Sequence, residues 1–149
     1  MKWDNQIREE ADLKVDYDSH RNKPIKKFNR RAKYLLKYFP SLSPLKINVY
    51  KTKKGYHFYI YASPGFLRLQ RPRNDLIYYF FETRKVLFQS LLGSDWLREL
   101  RNFDRINKDD KNWNILFSEK DKNGKIQKEK FYCSYVLKAK GDKNAKSIW

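Results

Sequence analysis

The sequence predicts an α+β fold, a mixed or antiparallel sheet with packed helices, in the order β-α-β-β-α-α-β-β. Three observations carry the expectation. Residues 13–18, 47–50 and 56–61 alternate with a period of two and are rich in aromatic and β-branched side chains, as half-buried strands are. Residues 25–39 and 74–92 repeat apolar residues at helical spacing instead. The tetrapeptide Asp121-Lys122-Asn123-Gly124 is a strong hairpin turn near the C-terminal end.

Residues 1–11 are polar and suit an arm or a short helix. The first strand, 13–18, places Leu13, Val15 and Tyr17 on one face and Lys14, Asp16 and Asp18 on the other. A loop through His20 ends at Pro24. The helix over 25–39 sets Phe28, Ala32, Leu35, Leu36 and Phe39 inward, with Lys26, Arg30, Lys33 and Lys37 mostly away from them, and Pro40 stops it. Strands over 46–51 and 56–61 follow, joined by Lys51-Thr52-Lys53-Lys54-Gly55. Tyr56, Phe58 and Ile60 share one face of the second strand; His57, Tyr59 and Tyr61 share the other.

After a turn at 62–65 comes a basic loop with Arg68, Arg71 and Arg73. The longest helix spans 74–92, with Leu76, Ile77, Phe80, Val86, Leu87 and Leu91 as its apolar face and Tyr78, Tyr79 and Phe81 widening it, so central burial is expected. Ser94 is a cap for a helix over 95–104 with Trp96, Leu97, Leu100 and Phe103 inward, and with Asp95, Arg98, Arg101 and Arg105 polar. A strand over 113–118 and a return strand over 125–137 close the order, with Phe131, Cys133, Tyr135 and Leu137 on one side. Residues 1–149 read as a single domain whose basic end, 138–149, is expected to be a mobile tail.

Composition narrows the partners. The 149 residues carry 34 lysines and arginines against 17 acids, a formal net charge of +17, so a polyanion is expected: nucleic acid first, an anionic membrane surface second. No apolar run approaches the roughly 20 residues of a membrane span, and the first ten residues lack the apolar core of a signal peptide. A cytoplasmic location and no membrane partner are the default expectation. One cysteine, Cys133, excludes an internal disulfide, and two histidines, His20 and His57, argue against a zinc site.

Two stretches carry chemistry. The turn 51–55 combines a hydroxyl, backbone N–H groups, lysines and a glycine just before His57, which suits a phosphate cradle; a basic hairpin with a hydrogen-bonded histidine is the competing explanation. Asp16 and Asp18, two apart on one strand face, stand about 6.5–7 Å apart along the backbone. Their carboxylates can converge on one hard cation, though a solvated acidic strand end has the same pattern. Arg68, Arg71 and Arg73 suit phosphate contacts or are ordinary surface charge.

The order Asp16-Tyr17-Asp18, helix, then Thr52-Lys53-Lys54-Gly55-Tyr56-His57-Phe58-Tyr59-Ile60 resembles the archaeo-eukaryotic primase superfamily, whose members carry an Asp-x-Asp strand followed by a glycine turn and a histidine strand. The match covers residues 13–61, about a third of the chain. The resemblance implies a primase catalytic-core-like fold and a metal-dependent nucleotidyltransferase, a DNA primase or polymerase. Asp16 and Asp18 would bind Mg²⁺ or Mn²⁺. Thr52, Lys53, Lys54, Gly55 and His57 would hold the triphosphate of the incoming nucleotide. Single-stranded or primed DNA would lie on basic residues, with Arg68, Arg71, Arg73, Arg98 and Arg101 proposed for it, and an accessory or large primase subunit is a further expected partner.

The chain departs from the family in its short length and in its third acidic position. Asp95 is the candidate there because arginines follow it, although aspartate at a helix start also serves the cap. Glu119 is the rival. Two other functions remain open on the sequence: a non-catalytic DNA- or RNA-binding protein on a primase-like frame, and, more remotely, a metal-dependent nuclease.

Overall fold

Strand alternation and helical spacing resolve into β1 (Leu13–Asp18), α1 (Pro24–Tyr38), β2 (Leu45–Lys51), β3 (Gly55–Tyr61), α2 (Asp75–Leu91), α3 (Trp96–Asn107), β4 (Glu119–Lys122), β5 (Lys125–Lys128) and β6 (Lys130–Leu137). The computed structural model describes residues 11–18, 23–62, 75–110, 113–114, 119–122 and 125–140. For Asp18, for 75–79 and for 119–122 and 125–128 the description is of the backbone. Over the described residues the fold is α+β: a four-stranded antiparallel sheet in the order β1-β3-β2-β6, three α-helices, and a separate β4–β5 hairpin.

One face of the sheet makes the core. Leu13, Val15 and Tyr17 of β1, Phe58 and Ile60 of β3, Ile47 and Val49 of β2 and Leu137 of β6 are buried against Phe28, Ala32, Leu35 and Leu36 of α1. Phe28 stacks on Phe58 with ring centroids 4.0 Å apart. Pro24 occupies the first turn of α1, where its missing N–H costs nothing, and Lys37 lies in the last turn. Phe88 of α2 and Leu92 just beyond its end join the same core.

Several expectations are corrected. Trp96, Leu97, Leu100 and Phe103 of α3 are exposed, and the buried side is Arg98, Glu99, Asn102 and Ile106. Phe80, Leu87 and Leu91 of α2 are exposed as well, whereas Val86, Phe88 and Gln89 are buried, as is Leu92 just beyond the helix, so α2 is not centrally enclosed over its described side chains, 80–91. The physical reason is β1. Among the described residues it pairs with β3 alone, and an edge strand's other N–H and C=O groups need partners. Polar side chains of α2 and α3 satisfy that need; apolar ones cannot.

Residues 113 and 114 are not in a strand, and 115–118 lie outside the described residues. The expected strand over 125–137 breaks at Glu129 into β5 and β6, which belong to different sheets. A register shift between Val49 and Tyr50 pairs Val49 with Cys133 but Tyr50 with Phe131. The extra residue reverses the side-chain alternation, so Phe131 leaves the face of Cys133, Tyr135 and Leu137. The start of the expected tail is docked: Ala139 is buried, and its N–H donates to Ser43 Oγ at 2.9 Å. Residues 141–149 lie outside the described residues. No helix among the described residues is long and apolar enough to cross a membrane.

Candidate functional site

The second face of the sheet is polar because alternation in β1 and β3 puts Lys14, Asp16, His57 and Tyr59 opposite the core residues. In the antiparallel register Asp16 is the direct partner of His57, and Asp18 that of Gly55. The acidic strand therefore ends beside the basic turn. Thr52 N–H donates to Gly55 C=O at 2.8 Å and closes that turn, so this N–H is already engaged. Lys53 and Lys54 are exposed, Thr52 is half-buried and Gly55 is buried.

His57 is held from both sides. Its Nε2 lies 3.5 Å from Asp16 Oδ1, and its Nδ1 lies 2.7 Å from Glu129 Oε2. Tyr59 O–H donates to the same carboxylate, at 3.0 and 2.9 Å from its two oxygens. The Glu129 side chain is only 1% exposed and that of His57 3%, while that of Asp16 is 25% exposed. The row is open to solvent at its Asp16 end.

The open edge of β1 leads to the turn between α2 and α3. Asp16 N–H donates to Ser94 Oγ at 3.1 Å, and Asp95 N–H donates to Asp16 C=O at 3.1 Å. Ser94 thus serves β1; the N-cap of α3 is Asp95, whose side chain makes no capping hydrogen bond. Gly93 makes the approach possible. Its φ is +94°, and an added Cβ would collide with the Tyr17 hydroxyl and crowd Arg31 Cδ. A cavity of about 230 Å³ opens here, lined by Asp16, Arg31, Ser90, Gly93, Ser94, Asp95 and Trp96.

Behind the cavity lies a closed polar network. Arg98 Nη1 donates to Lys14 C=O at 3.0 Å and to Glu99, and Arg98 Nη2 donates to Asn114 Oδ1 at 2.9 Å. Gln89 Oε1 accepts from Lys14 N–H and from Asn114 Nδ2, while Gln89 Nε2 donates to Glu99 Oε1 at 2.7 Å. Burial pulls the Arg98 guanidinium down from its ordinary range, and the carboxylates of Glu99 and Asp16 oppose that fall. Arg98, expected on the nucleic-acid surface, instead braces β1 from inside.

The structure therefore brings Asp16, Asp95 and His57 together and places Thr52 to Gly55 at the Asp18 end of the same strand pair. Arg101 is exposed on α3. Arg68, Arg71, Arg73 and His20 lie outside the described residues, as do the side chains of Asp18 and Glu119. Sequence reasoning missed Glu129, Arg31 and the cavity role of Trp96. Glu129 had one signal, an acid breaking a run of lysines and strand residues. Arg31 and Trp96 had none beyond helical position.

Among the described residues no group of three His, Cys, Asp or Glu side chains is placed to hold a metal ion. Mg²⁺ commonly needs only one or two carboxylates, keeping water and substrate phosphate as its other ligands. Asp16 and Asp95, two carboxylates lining one cavity, fit that donor set. Compared with known proteins, the chain matches no family model, no curated protein and no solved structure.

Proposed function

We propose that the chain is a metal-dependent nucleotidyltransferase of the primase and DNA polymerase kind, joining nucleotides on a single-stranded or primed template. The observation that carries the reading is the backbone bond from Asp95 N–H to Asp16 C=O, which brings two acids widely separated in sequence into one cavity. Asp95 caps nothing with its side chain, so its carboxylate is available to the cavity.

A bound Mg²⁺ or Mn²⁺ would orient the triphosphate and the attacking hydroxyl and stabilise the charge that develops on the leaving group. Asp16, Asp95 and the neighbouring Asp18 would hold that ion. His57, with Lys53 and Lys54 at the adjoining turn, would bind the phosphates of the nucleotide. Arg31 adds a positive charge beside the acids. The excess of basic residues, Arg101 among them, would bind the nucleic-acid backbone in a salt-sensitive way.

The test is incorporation of labelled nucleotide on single-stranded and primed DNA with Mg²⁺ or Mn²⁺. Product from the wild type and none from Asp16→Ala/Asp18→Ala supports the reading. Product from the double variant contradicts it. The net charge of +17 favours a second reading, a non-catalytic DNA- or RNA-binding protein. DNA retardation without metal-dependent nucleotide binding would select it.

A further inference from the structure

His57 has both ring nitrogens facing carboxylates, and the two carboxylates differ in kind. That of Asp16 borders the cavity and is partly exposed; that of Glu129 is enclosed. Glu129 lies between β5 and β6, at the one residue where the chain leaves strand geometry to pass from one sheet to the other. Its side chain enters beneath β3 and meets His57 Nδ1 and Tyr59 O–H, two hydrogen-bonding groups that share one face of that strand. A buried carboxylate needs donors, and these two supply them. An imidazole is free to turn about its side-chain bonds and to carry its proton on either nitrogen unless a partner fixes both.

We propose that Glu129, seated by Tyr59, is the positioning residue of the site. It accepts the Nδ1–H of His57, fixes that tautomer and ring orientation, and so sets Nε2 against Asp16, whose carboxylate borders the cavity. Glu129 touches no ligand; it acts through His57. The same logic holds wherever a carboxylate behind a histidine sets which nitrogen faces the working side. The part of this proposal that concerns nucleotide affinity rests on the function proposed above; the part that concerns the imidazole does not.

The chain has two histidines, so nitrogen-15 NMR of the imidazoles, assigned with His57→Ala, reads His57 directly. Glu129→Leu keeps the bulk and removes the acceptor, and Glu129→Gln keeps an acceptor and guards against misfolding. The wild type and Glu129→Gln are expected to show His57 with its proton held on Nδ1; Glu129→Leu is expected to lose that state. Affinity for Mg²⁺ with deoxynucleotide should fall about tenfold in Glu129→Leu, as it does when a partner behind a ligand is removed, and stay near wild type in Glu129→Gln. In a His57→Ala background Glu129→Leu should cost nothing more.

An unchanged His57 spectrum in Glu129→Leu overturns the proposal, and so does a nucleotide loss that adds in full to that of His57→Ala. If the wild type binds no nucleotide while the His57 spectrum still depends on Glu129, the positioning stands and the nucleotidyltransferase reading falls.

Discussion

His57 and Asp16 face each other across one rung of the β1–β3 ladder, with Nε2 3.5 Å from Oδ1. The pairing joins the acidic strand to the strand behind the basic turn, two motifs separated in the chain by helix α1. It also sets a direction. Glu129 closes one end of the row, and the cavity shared with Asp95 opens the other.

Gly93 should tolerate no side chain. Gly93→Ala combines a φ of +94° with a collision against Tyr17, and a loss of about 1–3 kcal/mol is expected. Tyr17→Phe removes its hydrogen bond to Leu92 C=O and costs about 1 kcal/mol. Because the hydroxyl is also what the new Cβ strikes, the double variant should lose less than the sum, as read from urea denaturation.

Arg98 and Arg101, three residues apart on α3, should behave oppositely. Arg98→Ala strands Glu99 in a buried network and should cost about 3–5 kcal/mol of stability. Arg101→Ala should leave the denaturation midpoint unchanged. If Arg101 meets a nucleic-acid phosphate, its loss lowers the salt slope of DNA binding by about one. Denaturation curves and salt titrations of DNA retardation read the two effects separately.

The outer face of α3 should accept charge. Leu97→Lys and Leu100→Lys replace exposed side chains, and each is expected to change stability by no more than about 0.5 kcal/mol. Had that face been inside, as its apolar pattern predicts, each would cost several times more. Thermal melts of the two variants give the answer.

Stability should fall in alkali. Burial raises Tyr135 well above its ordinary value of 10.0, Cys133 adds to the rise, and the hydrogen bond to Asn29 opposes it. Burial likewise raises the Cys133 thiol above its ordinary 9.0. An acid whose folded value is raised stays protonated in the fold while the unfolded chain ionises. Its contribution is therefore complete below the ordinary value and is lost as pH climbs past it toward the folded value. Denaturant melts between pH 8 and pH 11 should show this decline, and Tyr135→Phe should flatten its upper part.

Strand alternation made β1, β2 and β3 legible, and helical spacing the core face of α1 except for Phe39, which lies just past the helix end and is exposed. The same logic put Asp16 and His57 on one sheet face but could not say that they are direct partners, since register depends on long-range pairing. Two things were hidden for physical reasons. Helix α3 carries its apolar stripe outward, because Arg98 bonds the edge of β1 and Glu99 and Asn102 complete the buried polar network around it, and hydropathy ranks those residues as surface. Glu129 was hidden because a buried acid is recognised by its donors, and His57 and Tyr59 stand about 70 residues earlier in the chain. Of the two rivals for the third acid, the fold brings Asp95 to Asp16 and puts the backbone of Glu119 in the separate β4–β5 hairpin.

The most direct measurement is Mn²⁺ titration in the presence of deoxynucleotide, followed by the metal's paramagnetic resonance, on the wild type, Asp16→Ala, Asp95→Ala and Glu119→Ala. Nucleotide-dependent Mn²⁺ binding is expected in the wild type and in Glu119→Ala, and its loss in Asp16→Ala and Asp95→Ala, with all four proteins still retarding DNA. Full Mn²⁺ binding by Asp95→Ala, or none by the wild type, would contradict the proposed function.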